Sequence, residues 1–326
     1  MKSLQKIAHH FPGQLTRSPQ WGRLLFTVAL LTGAALTGSL LAGCTADSPA
    51  SSGPTPKVLA VESFLADMAQ NVAGEQLKVE TLMPLGLDPH AFEPTPQDVT
   101  KIAESQVLIV NGAGLEGWLQ EALDNAGGDR QVIEAAAGLT SRQPLEGEGS
   151  DPHFWLDPIH AIRYIENIRD GLIRADPAGK DTYTQNSDAY IARLMELDAW
   201  IKAQVAEIPE QKRLIVTNHE SFGYFADRYG FQIIGAIVPS VSTGASPSAQ
   251  QLAQLVEQIR ATGASAIFLE TGTNPQLAEQ VAQETGAKVV TGLYSHSLTP
   301  PGGNAPTYID MMRYNVNAIV RALTQR

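Results

Sequence analysis

The sequence is poor in cysteine, in aromatic residues and in long apolar runs. Its 326 residues include one cysteine, and aromatic side chains make up 6% of the chain. A single thiol excludes an internal disulfide, so stability has to come from a packed core. Beyond residue 42, no apolar stretch is long enough to span a bilayer as a helix. Positive charge is scarce as well, with 23 Lys and Arg against 34 Asp and Glu, which argues against nucleic acid as a ligand.

The first 43 residues have the composition of an export signal. Residues 1–23 carry four basic and no acidic side chains, and residues 24–42 are almost wholly apolar or small. The run ends in Leu-Ala-Gly-Cys, which resembles a bacterial lipobox, where the signal is cut before the cysteine and the thiol is lipidated. We therefore predict a lipoprotein signal at 1–43 and lipidation of Cys44; the alternative is a plain membrane anchor with an incidental cysteine.

Loss of that signal moves the net charge from −11 to −15, because four positive charges leave and no negative one does. Acyl chains on Cys44 hold a protein at a membrane surface without a spanning helix. We expect an exported protein that is lipid-anchored at the cell membrane or in the periplasm. An acidic surface of this kind suits cations weakly and disfavours anionic substrates.

The rest of the chain alternates between strand-like and helix-like segments. Residues 44–56 are small, polar and rich in proline, which is typical of a flexible tether. Short apolar runs then alternate with amphipathic segments, a pattern that predicts parallel sheets covered by helices. Residues 180–206 contain no proline or glycine and keep helical apolar spacing. We predict an α/β lobe at 57–178, one long rigid linking helix at 179–206 and a second α/β lobe at 207–326.

Two predicted helix starts depend on local signals. The segment from Gly112 to Gly117 reads GxGxxG, and Glu134 lies 22 residues after Gly112, as in a dinucleotide-binding fingerprint. An exported protein is separated from the nicotinamide pool, so we interpret these glycines as a tight turn that leads into a helix at 115–125. Pro247 after Ser246 predicts a second helix at 247–262, because serine caps and proline fits the first turn.

Four of the five histidines after residue 44 lie at predicted strand ends or in loops. Asp-Pro-His occurs twice, ending at His90 and His153, and the proline stiffens each turn. His219 and His296 follow predicted strands of the second lobe, and ligands of α/β proteins gather at the carboxyl ends of strands. Neutral imidazole is a common metal ligand, so the four can close a tetrahedral site between the lobes. His160 lies inside a predicted helix, and we interpret it as structural.

The segments around these histidines resemble the metal motifs of the zinc and manganese solute-binding proteins of ABC transporters. The similar segments are PLGLDPHAFEPTPQD at 84–98, DPHFWLDP at 151–158, TNHESFGYF at 217–225, and 294–298 together with MMRYN at 311–315. The resemblance covers nearly everything after residue 56. It implies two α/β lobes joined by one rigid helix, with the metal between them. It assigns the ligands to His90, His153, His219 and His296, and it implies no catalytic residue.

The third and fourth ligand positions bear on the identity of the metal. Manganese-type members carry glutamate at the third position and zinc-type members histidine, and this chain has His219. Many members carry aspartate at the fourth position, where this chain has His296; Glu220 or water is the alternative fourth ligand. Four imidazoles favour Zn²⁺ over Mn²⁺, because manganese prefers carboxylate oxygen.

We therefore expect a monomer that captures Zn²⁺ outside the cytoplasmic membrane. It would deliver the ion to an ABC transporter permease that works with a cytoplasmic ATPase. The alternatives are a manganese- or iron-binding homologue and a zinc hydrolase, in which three histidines leave a coordination position open.

Carboxylates are expected to orient the imidazoles by accepting hydrogen bonds from the ring nitrogens that do not face the metal. Glu270 is the preferred candidate, because it ends a predicted strand at the presumed cleft. The other candidates are Glu220, Asp88, Asp151 and Asp157.

Overall fold

The computed structural model describes residues 55–145 and 149–325. The predicted signal, Cys44 and the tether up to residue 54 lie outside the described residues. Among the helices of the described part, none combines the length and the apolar character that a membrane crossing requires.

The N-terminal lobe is a four-stranded parallel sheet with helices on its faces. Its strands pair in the order β2-β1-β3-β4. The strands are β1 Val58–Ala60, β2 Val79–Thr81, β3 Val107–Val110 and β4 Gln131–Glu134. The helices are α1 Ser63–Ala73, α2 Pro96–Glu104, α3 Leu119–Ala126 and α4 Pro158–Ala175.

The C-terminal lobe repeats the same strand order. Its parallel strands pair as β6-β5-β7-β8. The strands are β5 Leu214–Thr217, β6 Gln232–Ala236, β7 Ala266–Glu270 and β8 Lys288–Leu293. The helices are α6 Gly223–Tyr229, α7 Ala249–Thr262, α8 Gln276–Thr285 and α9 Tyr308–Thr324. Because all strands of a parallel sheet end at one edge, each lobe offers one set of carboxyl-end loops.

One long helix, α5 at Lys180–Val205, joins the lobes. Its 26 residues extend about 39 Å at 1.5 Å per residue. One side of it is buried, and the helix packs against α1 and α4 of the first lobe and α9 of the second. The predicted fold of two α/β lobes with parallel sheets and a linking helix is thereby confirmed.

A continuous hydrophobic core ties the lobes together. The fully buried Trp155 stacks on Phe64 with ring centroids 4.5 Å apart. Its indole Nε1–H donates to the carbonyl of Ser295 at 2.7 Å, and the Tyr308 hydroxyl donates to the carbonyl of Trp155 at 2.5 Å. Residues of both lobes and of α5 belong to this one cluster. Dense packing of this kind resists large relative movement of the lobes.

Both helix starts that were predicted from local signals lie too early in the chain. Helix α3 begins at Leu119 rather than at residue 115, because the left-handed residues 112–114 are followed by further turns that continue through Trp118. Helix α7 begins at Ala249 rather than at Pro247. Ser248 caps it and forms a reciprocal capping box with Gln251, which satisfies two backbone N–H groups that Ser246 would leave free.

Candidate metal centre

Four imidazoles converge outside the carboxyl ends of the two sheets. His90 lies in a short 3₁₀ turn, Pro89–Ala91, that follows β2, and His153 follows β4 just before a second 3₁₀ turn, Phe154–Leu156. His219 comes two residues after the end of β5, and His296 comes three residues after the end of β8. The structure therefore brings together the four histidines that the sequence singled out, two from each lobe.

The ring nitrogens of these histidines lie close enough to share one ion. The Nε2 atom of His153 is 3.2 Å from the Nε2 atoms of His90, His219 and His296 alike. One ligand atom from each of the four lies within 4.8 Å of the others. His153, His219 and His296 are buried, and His90 is half-buried. The arrangement is a compact, nearly enclosed cluster of nitrogen donors.

Asp151 orients the central imidazole. A carboxylate oxygen of Asp151 lies 2.8 Å from the Nδ1 of His153 and also accepts the backbone N–H of that histidine at 3.0 Å. Burial raises the pKa of Asp151 to about 7, although these hydrogen bonds and Arg142, 3.7 Å away, oppose the rise. The contact places the proton of His153 on Nδ1 and directs the Nε2 lone pair into the cluster.

Glu270, the last residue of β7, supports both imidazoles of the C-terminal lobe. One carboxylate oxygen lies 2.9 Å from the Nδ1 of His219 and accepts the Ser221 hydroxyl at 3.0 Å. The other accepts the Ser295 hydroxyl at 2.7 Å, and the Ser295 oxygen is 2.8 Å from the Nδ1 of His296. A single carboxylate thus fixes two rings, one directly and one through a serine.

Burial and neighbouring charges shift the pKa values of Glu270 and of the histidines in different directions. Burial opposes ionisation of Glu270, yet His219 and His296 hold the pKa of its carboxyl well below the usual range. Burial also disfavours a charged His219, but Glu270 reverses the balance and raises the pKa of that imidazole. Burial, assisted by the neighbouring imidazoles, lowers the pKa of His153 well below its usual value and that of His90 to about 3. Neutral rings of this kind present lone pairs to a cation.

The remaining candidate carboxylates accept hydrogen bonds from the backbone. Asp88 accepts the backbone N–H of His90 at 2.9 Å. Asp157 accepts the backbone N–H of Ile159 at the start of α4 and lies 3.1 Å from Arg228. Glu220 accepts the backbone N–H of Leu145 at 2.6 Å. Whether any of them influences metal binding stays a prediction.

The sequence reading did not identify three residues that contact this site. Ser221 and Ser295 were missed, although each lies within two residues of a clustered histidine. Trp118 was missed as well; its indole Nε1–H donates to the carbonyl of Pro89, next to His90, at 3.0 Å. His160 lies outside the cluster on α4, where its ring packs edge-on against Phe154 and Tyr224.

Two α/β lobes with a cluster of imidazoles between them define a metal-binding solute-binding protein. Residues 58–322 match the sequence model of the family described as zinc-uptake complex component A, periplasmic. The chain belongs to this family of substrate-binding components of metal ABC transporters. Its members are transport proteins rather than enzymes, and they work with a membrane permease and an ATPase.

Relatives named for several metals share the whole fold. The chain is 35% identical over 288 residues to the manganese-binding lipoprotein MntA of Halalkalibacterium halodurans, covering 88% of this chain and 95% of that one. It is 32% identical over 282 residues to the iron-binding protein YfeA of Yersinia pestis, covering 86% and 90%. The periplasmic zinc-binding protein TroA of Treponema pallidum has a solved structure that matches with a TM-score of 0.76 at 27% identity, covering 83% of this chain and 100% of that chain. The family and the binding of a divalent metal are therefore shown.

Proposed function

We propose that this protein captures Zn²⁺ with His90, His153, His219 and His296 and delivers it to the permease of an ABC transporter. The observation that carries the proposal is the Nε2 geometry around His153. Zinc bound to imidazole has Zn–N distances of about 2.0–2.1 Å, and a tetrahedron of that size has N–N edges of about 3.3 Å. The Nε2 atom of His153 lies 3.2 Å from each of the other three Nε2 atoms, close to that edge length.

The chemistry of the donors supports zinc over manganese. Imidazole suits zinc, whereas carboxylate oxygen suits manganese. Glu270, a carboxylate in contact with the cluster, engages Nδ1 of His219 and the Ser295 hydroxyl, on the side of the rings away from the shared Nε2 atoms. A fourth imidazole also fills the position that a zinc hydrolase keeps open for water, and this favours carriage over catalysis.

Manganese or iron is the second candidate cargo. The relatives MntA and YfeA are named for these metals, and both cover most of the chain. This alternative predicts that Mn²⁺ or Fe²⁺ competes with Zn²⁺ at equal concentration. Affinity alone favours zinc over both in most nitrogen sites, so the comparison requires direct competition.

Export and anchoring complete the proposal. Residues 1–43 act as a lipoprotein signal, Cys44 carries the lipid, and residues 44–56 form the tether. The relatives include proteins named as lipoproteins. The folded part acts as a monomer at the outer surface of the membrane.

Competitive titration of Zn²⁺, Mn²⁺ and Fe²⁺ against the protein without its signal tests this function. We expect one Zn²⁺ per chain, held more tightly than the other two ions. His296→Ala should weaken zinc binding, whereas His160→Ala, a histidine outside the cluster, should not. Tight Mn²⁺ or Fe²⁺ binding that Zn²⁺ cannot displace would reassign the cargo, and unchanged affinity in His296→Ala would mean an open fourth position.

A further inference from the structure

His90 is held differently from the other three imidazoles. A carboxylate or serine oxygen lies within 2.9 Å of Nδ1 in His153, His219 and His296. Among residues 55–145 and 149–325, no hydrogen bond reaches the Nδ1 of His90. Its ring is also the least buried of the four. The position of this ring therefore depends on the backbone turn that carries it.

One side chain contacts that turn on both sides of His90. The Trp118 indole Nε1–H donates to the carbonyl of Pro89 at 3.0 Å. The Trp118 ring also packs edge-on against Phe92, with centroids 5.0 Å apart and planes at 67°. Residues immediately before and two after His90 are thereby fixed to one rigid aromatic group.

The glycine-rich turn places Trp118 there. After β3 the chain takes three successive left-handed residues, Gly112, Ala113 and Gly114, with φ of 78°, 54° and 85°. Glycine adopts this conformation at little cost, whereas it is uncommon for alanine. The Glu116 carboxylate closes the turn by accepting the backbone N–H groups of Asn111 at 2.5 Å and Gly112 at 3.1 Å. The chain is then directed so that Trp118, two residues later, reaches the Pro89 carbonyl.

We infer that Trp118 is a positioning residue for His90, and that the GxGxxG turn supports the metal site by holding Trp118 against the Pro89–Ala91 turn. The inference rests on the proposed function, because metal affinity is its readout. Preorganised ligands bind metal more tightly than ligands that must first be ordered. Loss of the indole N–H loosens the Pro89–Ala91 turn in the metal-free protein, and the contribution of His90 to metal affinity therefore falls.

A double-mutant cycle between Trp118→Phe and His90→Ala tests the inference. Trp118→Phe removes the N–H and keeps an aromatic ring, and we expect metal affinity to fall about fivefold, as for the loss of one net hydrogen bond. In the His90→Ala background the same substitution should have no further effect, because the positioned ligand is gone. The matched control is Trp200→Phe on α5, where the ring stacks with Arg313 and lies outside the site; its affinity should equal that of the parent.

Metal affinity is measured by chelator competition, and the free energy of unfolding of each metal-free variant is measured beside it. The probe is whichever of Zn²⁺ and Mn²⁺ the parent binds more tightly, so failure of the zinc assignment leaves this test intact. Phe92→Leu, which keeps the indole N–H but loosens its packing, serves if Trp118→Phe does not fold; it should weaken binding only when His90 is present. Equal loss in both backgrounds, or no loss in either, would overturn the inference.

Discussion

The two sides of the metal centre are built on different principles. In the C-terminal lobe, His219 and His296 are fixed through their side chains by one carboxylate, Glu270, with Ser295 as an intermediary. In the N-terminal lobe, His153 has its own carboxylate, Asp151, whereas His90 relies on contacts to its backbone. Three rings are thus preset in the metal-free protein, and one depends on a turn.

This difference indicates an order of events during capture. In the proposed site, three of the four imidazoles are buried and oriented before a cation binds, so the cation gains most of its binding energy from them without ordering the protein. His90 is half-buried and its ring has no carboxylate or serine oxygen at Nδ1, so in the proposed site it completes the shell at the cost of ordering that ring. The lobes share a packed core, so a local movement of this kind is more consistent with the fold than wide closure.

Removal of single imidazoles tests this comparison most strongly. His153→Ala should lower zinc affinity several hundredfold, because zinc sites in peptides yield about 10–16 kcal/mol from four ligands, and each tenfold in affinity is about 1.4 kcal/mol. His90→Ala should cost about thirtyfold, since the energy lost with that ligand is partly offset by ordering that is no longer needed. Both are measured by chelator competition at fixed pH.

His160→Ala is the matched control for that pair, because the ring packs between Phe154 and Tyr224 outside the cluster. Equal losses of zinc affinity in His153→Ala and His90→Ala would contradict the idea that His153 is oriented before metal binds and His90 is not. A larger loss for His90→Ala would reverse the proposed order of capture.

The sequence predicted which histidines approach one another, because two Asp-Pro-His turns and two strand ends carry recognisable signals. It did not predict how each ring is held. Ser221 and Ser295 are ordinary residues in the chain, and their role arises only where they meet Glu270, which lies 49 and 25 positions away. The left-handed conformation of Ala113 was equally hidden, because alanine rarely adopts positive φ.

Neutralisation of the supporting carboxylates should have the next largest effect. Glu270→Gln removes the charge beside His219 and leaves one acceptor oxygen where the carboxylate offers two, so zinc affinity should fall between tenfold and a hundredfold. Asp151→Asn disturbs only His153 and should cost less. Glu257→Gln, an exposed carboxylate on α7, is the control. Unchanged affinity in Glu270→Gln would remove this residue from the site, and a larger effect of Asp151→Asn would place the main support in the first lobe.

The buried carboxyl groups of the two lobes also differ in charge. Glu270 in the C-terminal lobe is held ionised by the imidazoles around it. Beneath the glycine-rich turn, Glu62 and Glu116 are both buried, and Tyr164 lies nearby. Burial, and then the charge of Glu116, raises the pKa of Glu62 well above its usual value. Burial likewise raises the pKa of Glu116 to about 7, despite the backbone N–H groups that it accepts. Glu270 is therefore held in its charged form, whereas burial favours the protonated forms of Glu62 and Glu116.

This contrast predicts a pH-dependent effect of Glu62→Gln on the stability of the metal-free protein. A carboxyl whose pKa is raised by folding binds more protons in the folded state, so its contribution to stability is complete below its unfolded-state pKa and is lost as the pH rises through its folded-state pKa. Glutamine cannot ionise and removes one member of the pair. The free energy of unfolding of Glu62→Gln minus that of the parent should therefore increase from pH 5 to pH 8. Urea unfolding at both pH values measures it, with Glu257→Gln, at an exposed carboxylate on α7, as the control. A difference that does not change with pH would mean that the pair is already ionised at pH 5, and the two sides of the centre would then share one kind of support.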